Sequence, residues 1–290
     1  MYAVLHELRN LALVLLIPLS VITQNPVLPV PISAAHGDYA SRIATGEGTR
    51  YLACRGEGSP TVLLESDASL MTTDAWSSVE NAVSRFTRVC SYDRANVGRS
   101  GPAPMPRTAR QMAVDFAGML ETANVPAPYL LVSFGFGSLV SRLYASAHPD
   151  NVAGMLLIDP LSEEMETRWQ AVLPPALQAD LAAAFWNGNP EGIDFAGSYA
   201  ELGAAGPLPV VPLIVLTHNP ANPTGLIPAG WPAAQLDAIW QELARAQAKL
   251  VPGGSSVVAK TGDHAIPQLE PDRIALLIRA IIWPPMTPMV

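Results

Sequence analysis

Residues 41–290 carry the pattern of an α/β fold, a mostly parallel sheet covered by helices on both faces. Three observations predict it. Short apolar runs alternate with segments of helical periodicity along most of the chain, which is how βαβ units read. Several of those runs are apolar throughout, as expected of strands buried on both faces. Hydrophobic residues make up 49% of the 290 residues and charged ones only 14%, enough to fill one large core without extended disorder.

In order, residues 49–54 (TRYLAC) and 61–64 flank the turn GEGSP and read as strands, and residues 75–85 as a helix. Residues 87–92 form the next strand. Residues 110–123 place Met112, Phe116, Met119 and Leu120 at helical spacing, so one face packs on the sheet. Residues 128–160, PYLLVSFGFGSLVSRLYASAHPDNVAGMLLIDP, give a strand, a glycine-rich turn over 133–138, an amphipathic helix over 139–147 and a second strand. Residues 161–207 turn helical and aromatic, with Trp169, Phe185, Trp186, Phe195 and Tyr199. A strand over 210–216, a helix over 233–250, a strand over 255–259 and a closing helix over 272–282 follow. No internal repeat is present.

The strand-to-helix turn has the shape of a nucleophile elbow, G-x-S-x-G. Laid on that pattern, Ser133 takes the first glycine position, Gly137 the last, and Gly135 the place of the serine. The segment resembles the alpha/beta-hydrolase superfamily, particularly exported esterase-like members whose elbow reads roughly PYVLVGHSFGGLVARLYA. CSYDRANVGRS (residues 90–100), GMLLIDP (154–160) and KTGDHAIPQLEP (260–271) resemble, in the right order, three further motifs of that family, and the likeness runs from about residue 49 to 282. It implies an eight-stranded type of sheet, with a small helical cap inserted at about 161–207.

The resemblance also implies a nucleophile on the elbow, a histidine base after the last strand and a carboxylate that orients it. His264 matches the histidine. The stretch THNPANP (217–223), where many relatives carry the acid, has none; Asp159 is the replacement, as in some haloalkane dehalogenases, with capping of the turn as its other reading. The nucleophile position, Gly135, has no side chain. Ser133 lies on the strand before the turn and Ser138 one position into the helix, so neither hydroxyl projects from the elbow tip. One oxyanion donor is the backbone N–H of Phe136. The second falls to the loop after the third strand, at Ser66 or Asp67, where relatives are glycine-rich. Asp67 repels a developing oxyanion if it faces the pocket and is harmless if it faces solvent.

These departures favour a weak or non-catalytic member that binds a small apolar or ester-like molecule in a capped pocket, or a protein partner. The alternatives are an ester or amide hydrolase using Ser133 or Ser138, and a His264–Asp159 acid–base enzyme without a covalent step. No cofactor and no metal is implied.

The N-terminal residues 1–40 read as a targeting or anchoring segment plus linker. An apolar block over 11–22 (LALVLLIPLSVI) follows Arg9, and Ser33-Ala34-Ala35 offers small residues for cleavage. The block is shorter than the roughly 20 residues needed to cross a bilayer. A longer segment, 11–31, is the anchor alternative and would associate the chain with a membrane. Export, whether secreted, periplasmic or at the cell surface, is the expected localisation. Cys54 and Cys90 end strands that the resemblance makes neighbours, which implies a disulfide in an oxidising space; two separate buried thiols are the other reading. With 17 Lys and Arg against 25 Asp and Glu, the formal charge of -8 offers no basic surface to nucleic acid.

Overall fold

The computed structural model of the chain describes residues 37–68, 73–185, 191–222 and 227–284. The apolar block at 11–22, the longer segment 11–31 and the small-residue cleavage site lie outside them. Among the described residues no helix is long and apolar enough to cross a membrane.

Eight strands form one sheet: β1 (Tyr39–Thr45), β2 (Gly48–Arg55), β3 (Thr61–Glu65), β4 (Val89–Asp93), β5 (Tyr129–Phe134), β6 (Val152–Ile158), β7 (Leu213–Thr217) and β8 (Ser255–Val258). Their spatial order is β1-β2-β4-β3-β5-β6-β7-β8. β2 runs antiparallel to both β1 and β4, and every other neighbouring pair is parallel. The helices are α1 (Ser77–Val83), α2 (Ala109–Thr122), α3 (Gly137–Ala147), α4 (Met165–Val172), α5 (Pro175–Phe185), α6 (Phe195–Gly203), α7 (Ala233–Gln247), α8 (Ile266–Leu269) and α9 (Pro271–Ile282). Between β6 and β7 the chain passes through α4, α5 and α6.

Side chains that alternate along the strands feed two cores. Val62, Leu64, Val132, Phe134 and Leu156 pack with Trp76, Val79 and Val83 of the α1 region and Ile274 and Ile278 of α9. Leu63, Leu131, Met155 and Leu157 face the other way, onto Met112 and Phe116 of α2, Leu139 and Leu143 of α3, and Leu236 and Trp240 of α7. Burial on both faces explains why β3, β5, β6 and β7 read as largely apolar runs rather than alternating ones. α2 opens on a capping box: the Thr108 hydroxyl accepts from the Gln111 N–H, and the Gln111 side chain accepts from the Thr108 N–H.

Cys54 of β2 lies opposite Cys90 of β4, and the two form a disulfide. One strand went unread. β1 begins at Tyr39, ahead of the boundary set at residue 41. Its pattern is mostly exposed, with Ile43 its one fully buried residue, and such an edge strand leaves little hydrophobic signal.

Candidate active site

The elbow connects β5 to α3 through Gly135 and Phe136. Gly135 has φ +51°, the left-handed conformation that costs a side-chain-bearing residue energy, and its N–H donates to Ile158 O at 3.0 Å. Gly137 is needed for a different reason: a Cβ there would lie 2.5 Å from Ser66 O and 2.7 Å from Glu65 Cγ. α3 can therefore sit directly against the end of β3.

Asp67 occupies the ground where an elbow side chain would stand. A Cβ built on Gly135 would fall inside its carboxyl, 2.7 Å from Oδ2 and nearer still to Cγ and Oδ1. Asp67 Oδ1 accepts the Phe136 N–H at 2.6 Å, and Oδ2 lies 3.0 Å from His264 Nε2. The expectation that this aspartate either faces solvent or merely repels an oxyanion is thus corrected. It turns inward and takes up the N–H that the sequence assigned to an oxyanion. Arg94 sets that direction, because its guanidinium donates to the carbonyl oxygens of Ser66 at 2.6 Å and Asp67 at 2.5 Å. Arg94 is itself buried between Glu65 (2.5 Å) and Glu191 (2.6 Å). Ser66, the other residue assigned to the oxyanion loop, accepts the Trp76 indole N–H on its hydroxyl at 2.8 Å.

His264 Nδ1 lies 2.6 Å from Asp159 Oδ2. Asp159, wholly buried at the end of β6 with φ +42°, is held there by its N–H bond to Leu216 O at 2.6 Å. Its carboxylate also receives His218, whose Nδ1 is 2.7 Å from Oδ1 and whose Nε2 is 2.5 Å from Asp237 Oδ1 on α7. The stretch after β7 was read as empty for want of an acid. It instead supplies a second imidazole to the acid on β6. The result is an alternating row: Asp67, His264, Asp159, His218, Asp237. Asp159 therefore acts as the shared partner of two histidines, not as a turn cap.

The charges follow from that row. Burial disfavours the His264 cation, but the hydrogen bonds and negative charges of Asp159 and Asp67 outweigh it and raise the imidazole to about 10. His218 is raised as well, against burial, by Asp159 and Asp237. Burial opposes the Asp159 carboxylate, yet its two histidines lower it. At neutral pH His264 is an imidazolium clamped between two carboxylates, with its Nε2–H on Asp67.

The two serines considered as substitutes lie elsewhere. Ser138 Oγ donates to Gly135 O at 2.7 Å, closing the first turn of α3. Ser133 Oγ is buried without a hydrogen-bond partner. His264 bonds to Asp159 and Asp67 and to neither hydroxyl. Asp263, next to the histidine, accepts the Ala265 N–H and serves the turn.

A cleft of about 350 Å³ opens onto this centre, lined by Asp67, Ala68, Phe134, Asp263, His264, Ala265 and Gln268. Sequence reasoning named Asp67 for the oxyanion loop but missed it as a partner of His264, and missed His218 as a partner of Asp159. The available signal for the first was a pair of departures, an acid where relatives are glycine-rich and a glycine where they carry serine, which become one change when read together.

A family model described as the alpha/beta hydrolase fold matches residues 68–191. An uncharacterized protein, YqjL, from Bacillus subtilis (strain 168) is 30% identical over 117 residues, 40% of this chain and 46% of that protein. An AB hydrolase superfamily protein from Gibberella zeae is 31% identical over 127 residues, 42% of this chain and 38% of that protein. The chain thus spans less than half the length of these curated relatives. Among solved structures, the enol-lactonase from Burkholderia xenovorans LB400 superposes with a TM-score of 0.59 at 18% identity, over 83% of this chain and 99% of that one. That likeness concerns the fold.

Proposed function

We propose, from the match of residues 68–191 to a family model described as the alpha/beta hydrolase fold, that this chain is a member of that superfamily which binds a small, largely apolar molecule in the cleft beside His264 and does not perform acyl transfer through a serine. One observation carries the reading: the Asp67 carboxylate takes both the space of an elbow side chain and the Phe136 N–H. A serine hydrolase needs a hydroxyl at the first and a vacant donor at the second. The charge state of His264 supports the same reading. An imidazole raised to about 10 is protonated at neutral pH, where a general base must be free of its proton. That also counts against acid–base chemistry started by His264 as a base. Export into an oxidising space belongs to this reading, supported by the Cys54–Cys90 disulfide and the apolar block after Arg9.

The test is a serine-directed fluorophosphonate probe with an aryl-ester panel. The unmodified protein remains unlabelled and inert, and Gly135→Ser takes up little probe because its side chain and the Asp67 carboxyl compete for one volume. The Gly135→Ser/Asp67→Gly double variant takes up the probe on its introduced hydroxyl. Labelling of the unmodified protein at Ser133 or Ser138 overturns the proposal.

A further inference from the structure

We infer that a second binding site lies at the β1–β2 end of the sheet, a polar trough that takes a neutral saccharide through its hydroxyls and the C–H face of its ring. The trough shares no lining residue with the cleft beside His264. Its floor follows from strand alternation. Tyr51, Ala53 and Arg55 of β2 lie on the face opposite Leu52 and Cys54, whose side chains enter the core with α2 and α3. Ala53 pairs with Ala40 of β1 on one side and with Ser91 of β4 on the other. α1 reaches this face over β4, where Glu80 accepts the Ser91 hydroxyl. Over β1 and β2 the floor shrinks to the methyl groups of Ala40 and Ala53, and a hollow of about 340 Å³ opens above them.

The rim is built of hydrogen-bonding groups that hold one another in place. At one end the Arg99 guanidinium lies 3.9 Å from the centroid of the Tyr51 ring, bonds to the Thr73 hydroxyl and to Asp74 Oδ1 at 3.1 Å, and stands 3.5 Å from Asp93 Oδ2. At the other end Arg55 donates Nη1 to Asn81 Oδ1 at 2.7 Å, with Nε 3.8 Å from Glu80 Oε2. Among the described residues these bonds leave Arg99 Nη1 and Arg55 Nη2 without an acceptor. Tyr51 and Arg55 stand roughly 13 Å apart along the strand. The two spare donors therefore serve opposite ends of one floor.

Charge decides the ligand class. Each guanidinium already has a carboxylate beside it, and Asp38 adds negative charge at the rim, so a phosphate or a carboxylate finds no surplus cation. The same two guanidiniums count against an amine. An acyl chain would strand these charged groups away from water, which is costly. What fits is a neutral group that accepts from a guanidinium and donates to a carboxylate at once, and a hydroxyl does both. A sugar ring carries several hydroxyls around its edge and C–H groups on its face. The first match the charged rim and the second the alanine floor.

The test is a glycan array probed with the full chain, followed by titration calorimetry with the neutral oligosaccharide that binds best. Binding to neutral glycans is expected, and it persists in about 0.5 M sodium chloride because no net charge drives it. Hydrogen exchange of the bound protein slows at residues 38–42 and 51–55. Ala40→Leu, at an exposed position of the edge strand, fills the floor and abolishes binding while the melting curve stays in place. Arg99→Ala weakens binding by about tenfold or more. The inference is overturned if no neutral glycan binds above background, if binding is confined to sulfated or sialylated glycans and vanishes in salt, or if Ala40→Leu binds as the unmodified protein does.

Discussion

Asp67 and Gly135 share one volume: the carboxyl of the first fills the place of a side chain on the second, and a Cβ at 135 would stand 2.7 Å from Asp67 Oδ2 and closer to the rest of the group. Two residues just past the ends of β3 and β5 thus constrain one another. A side chain placed at 135 alone meets Asp67, whereas Asp67→Gly alone leaves the volume empty.

Stability should report that coupling. Gly135→Ala imposes a left-handed backbone on a residue with a Cβ, at a cost of about 1–2 kcal/mol, and also expels Asp67 from its bonds to Phe136 and His264. Asp67→Gly removes the obstacle. A double-mutant cycle by urea denaturation is expected to show a favourable coupling of about 1 kcal/mol or more. Additive effects would mean that the carboxyl moves aside without cost.

The pH dependence follows from His264. Its ordinary value of 6.5 is raised to about 10 in the fold, so its contribution is complete below 6.5 and is lost as pH climbs toward 10. Asp159 works at the other end: its lowered value gives stability that is present above the ordinary carboxylate range and lost as pH falls through the folded value. Denaturation curves at stepped pH should fall between about 6.5 and 10, and Asp67→Asn should shrink that fall and shift it to lower pH. Histidine NMR provides the direct reading. A His264 resonance that titrates near 6.5 in the unmodified protein would contradict the clamp.

What the sequence disclosed and what it hid divide along physical lines. The β5 turn into α3 was legible because burial on both faces writes a continuous apolar run and helical packing writes its own period. His264 and Asp159 were legible because one lies in the loop after β8 and the other directly follows β6, positions that motif order locates. The direction of the Asp67 side chain was not, since Arg94, 27 residues on, holds its carbonyl, and a missing Cβ 68 residues on gives it room. His218 was hidden for a similar reason. Parallel pairing of β6 with β7 carries it to Asp159, and register is not written in either strand alone.

Arg94 should prove costly to remove. Its guanidinium is 4% exposed and neutralises Glu65 and Glu191, each 1% exposed. Arg94→Met leaves two buried carboxylates facing one another, a loss of about 3–5 kcal/mol. Without the cation, burial pushes Glu65 further up, so the penalty of keeping it ionised is present at neutral pH and eases as acid protonates it. The variant should accordingly lose more stability at pH 7 than near pH 5, and the shift of His264 should diminish as the Asp67 loop is released. Equal losses at both pH values would show that the cost does not come from an ionised buried carboxylate left by Arg94.

The Cys54–Cys90 bridge joins β2 to β4 across a sequence separation of 36 residues, and both sulfur-bearing residues are 1% exposed. A crosslink of that span restricts the unfolded chain, so Cys54→Ala/Cys90→Ala should cost about 2–4 kcal/mol in chemical denaturation. Burial makes a second, kinetic prediction. A thiolate reductant must reach sulfurs packed in the apolar cluster with Ile43, Leu52 and Leu63, so reduction of the native protein waits on opening of that end of the sheet. Iodoacetamide trapping with mass spectrometry distinguishes the cases. Alkylation at both cysteines should be slow with dithiothreitol alone and rapid once urea is added. Rapid reduction without urea would show that the β1–β2 edge opens far more readily than its pairing implies.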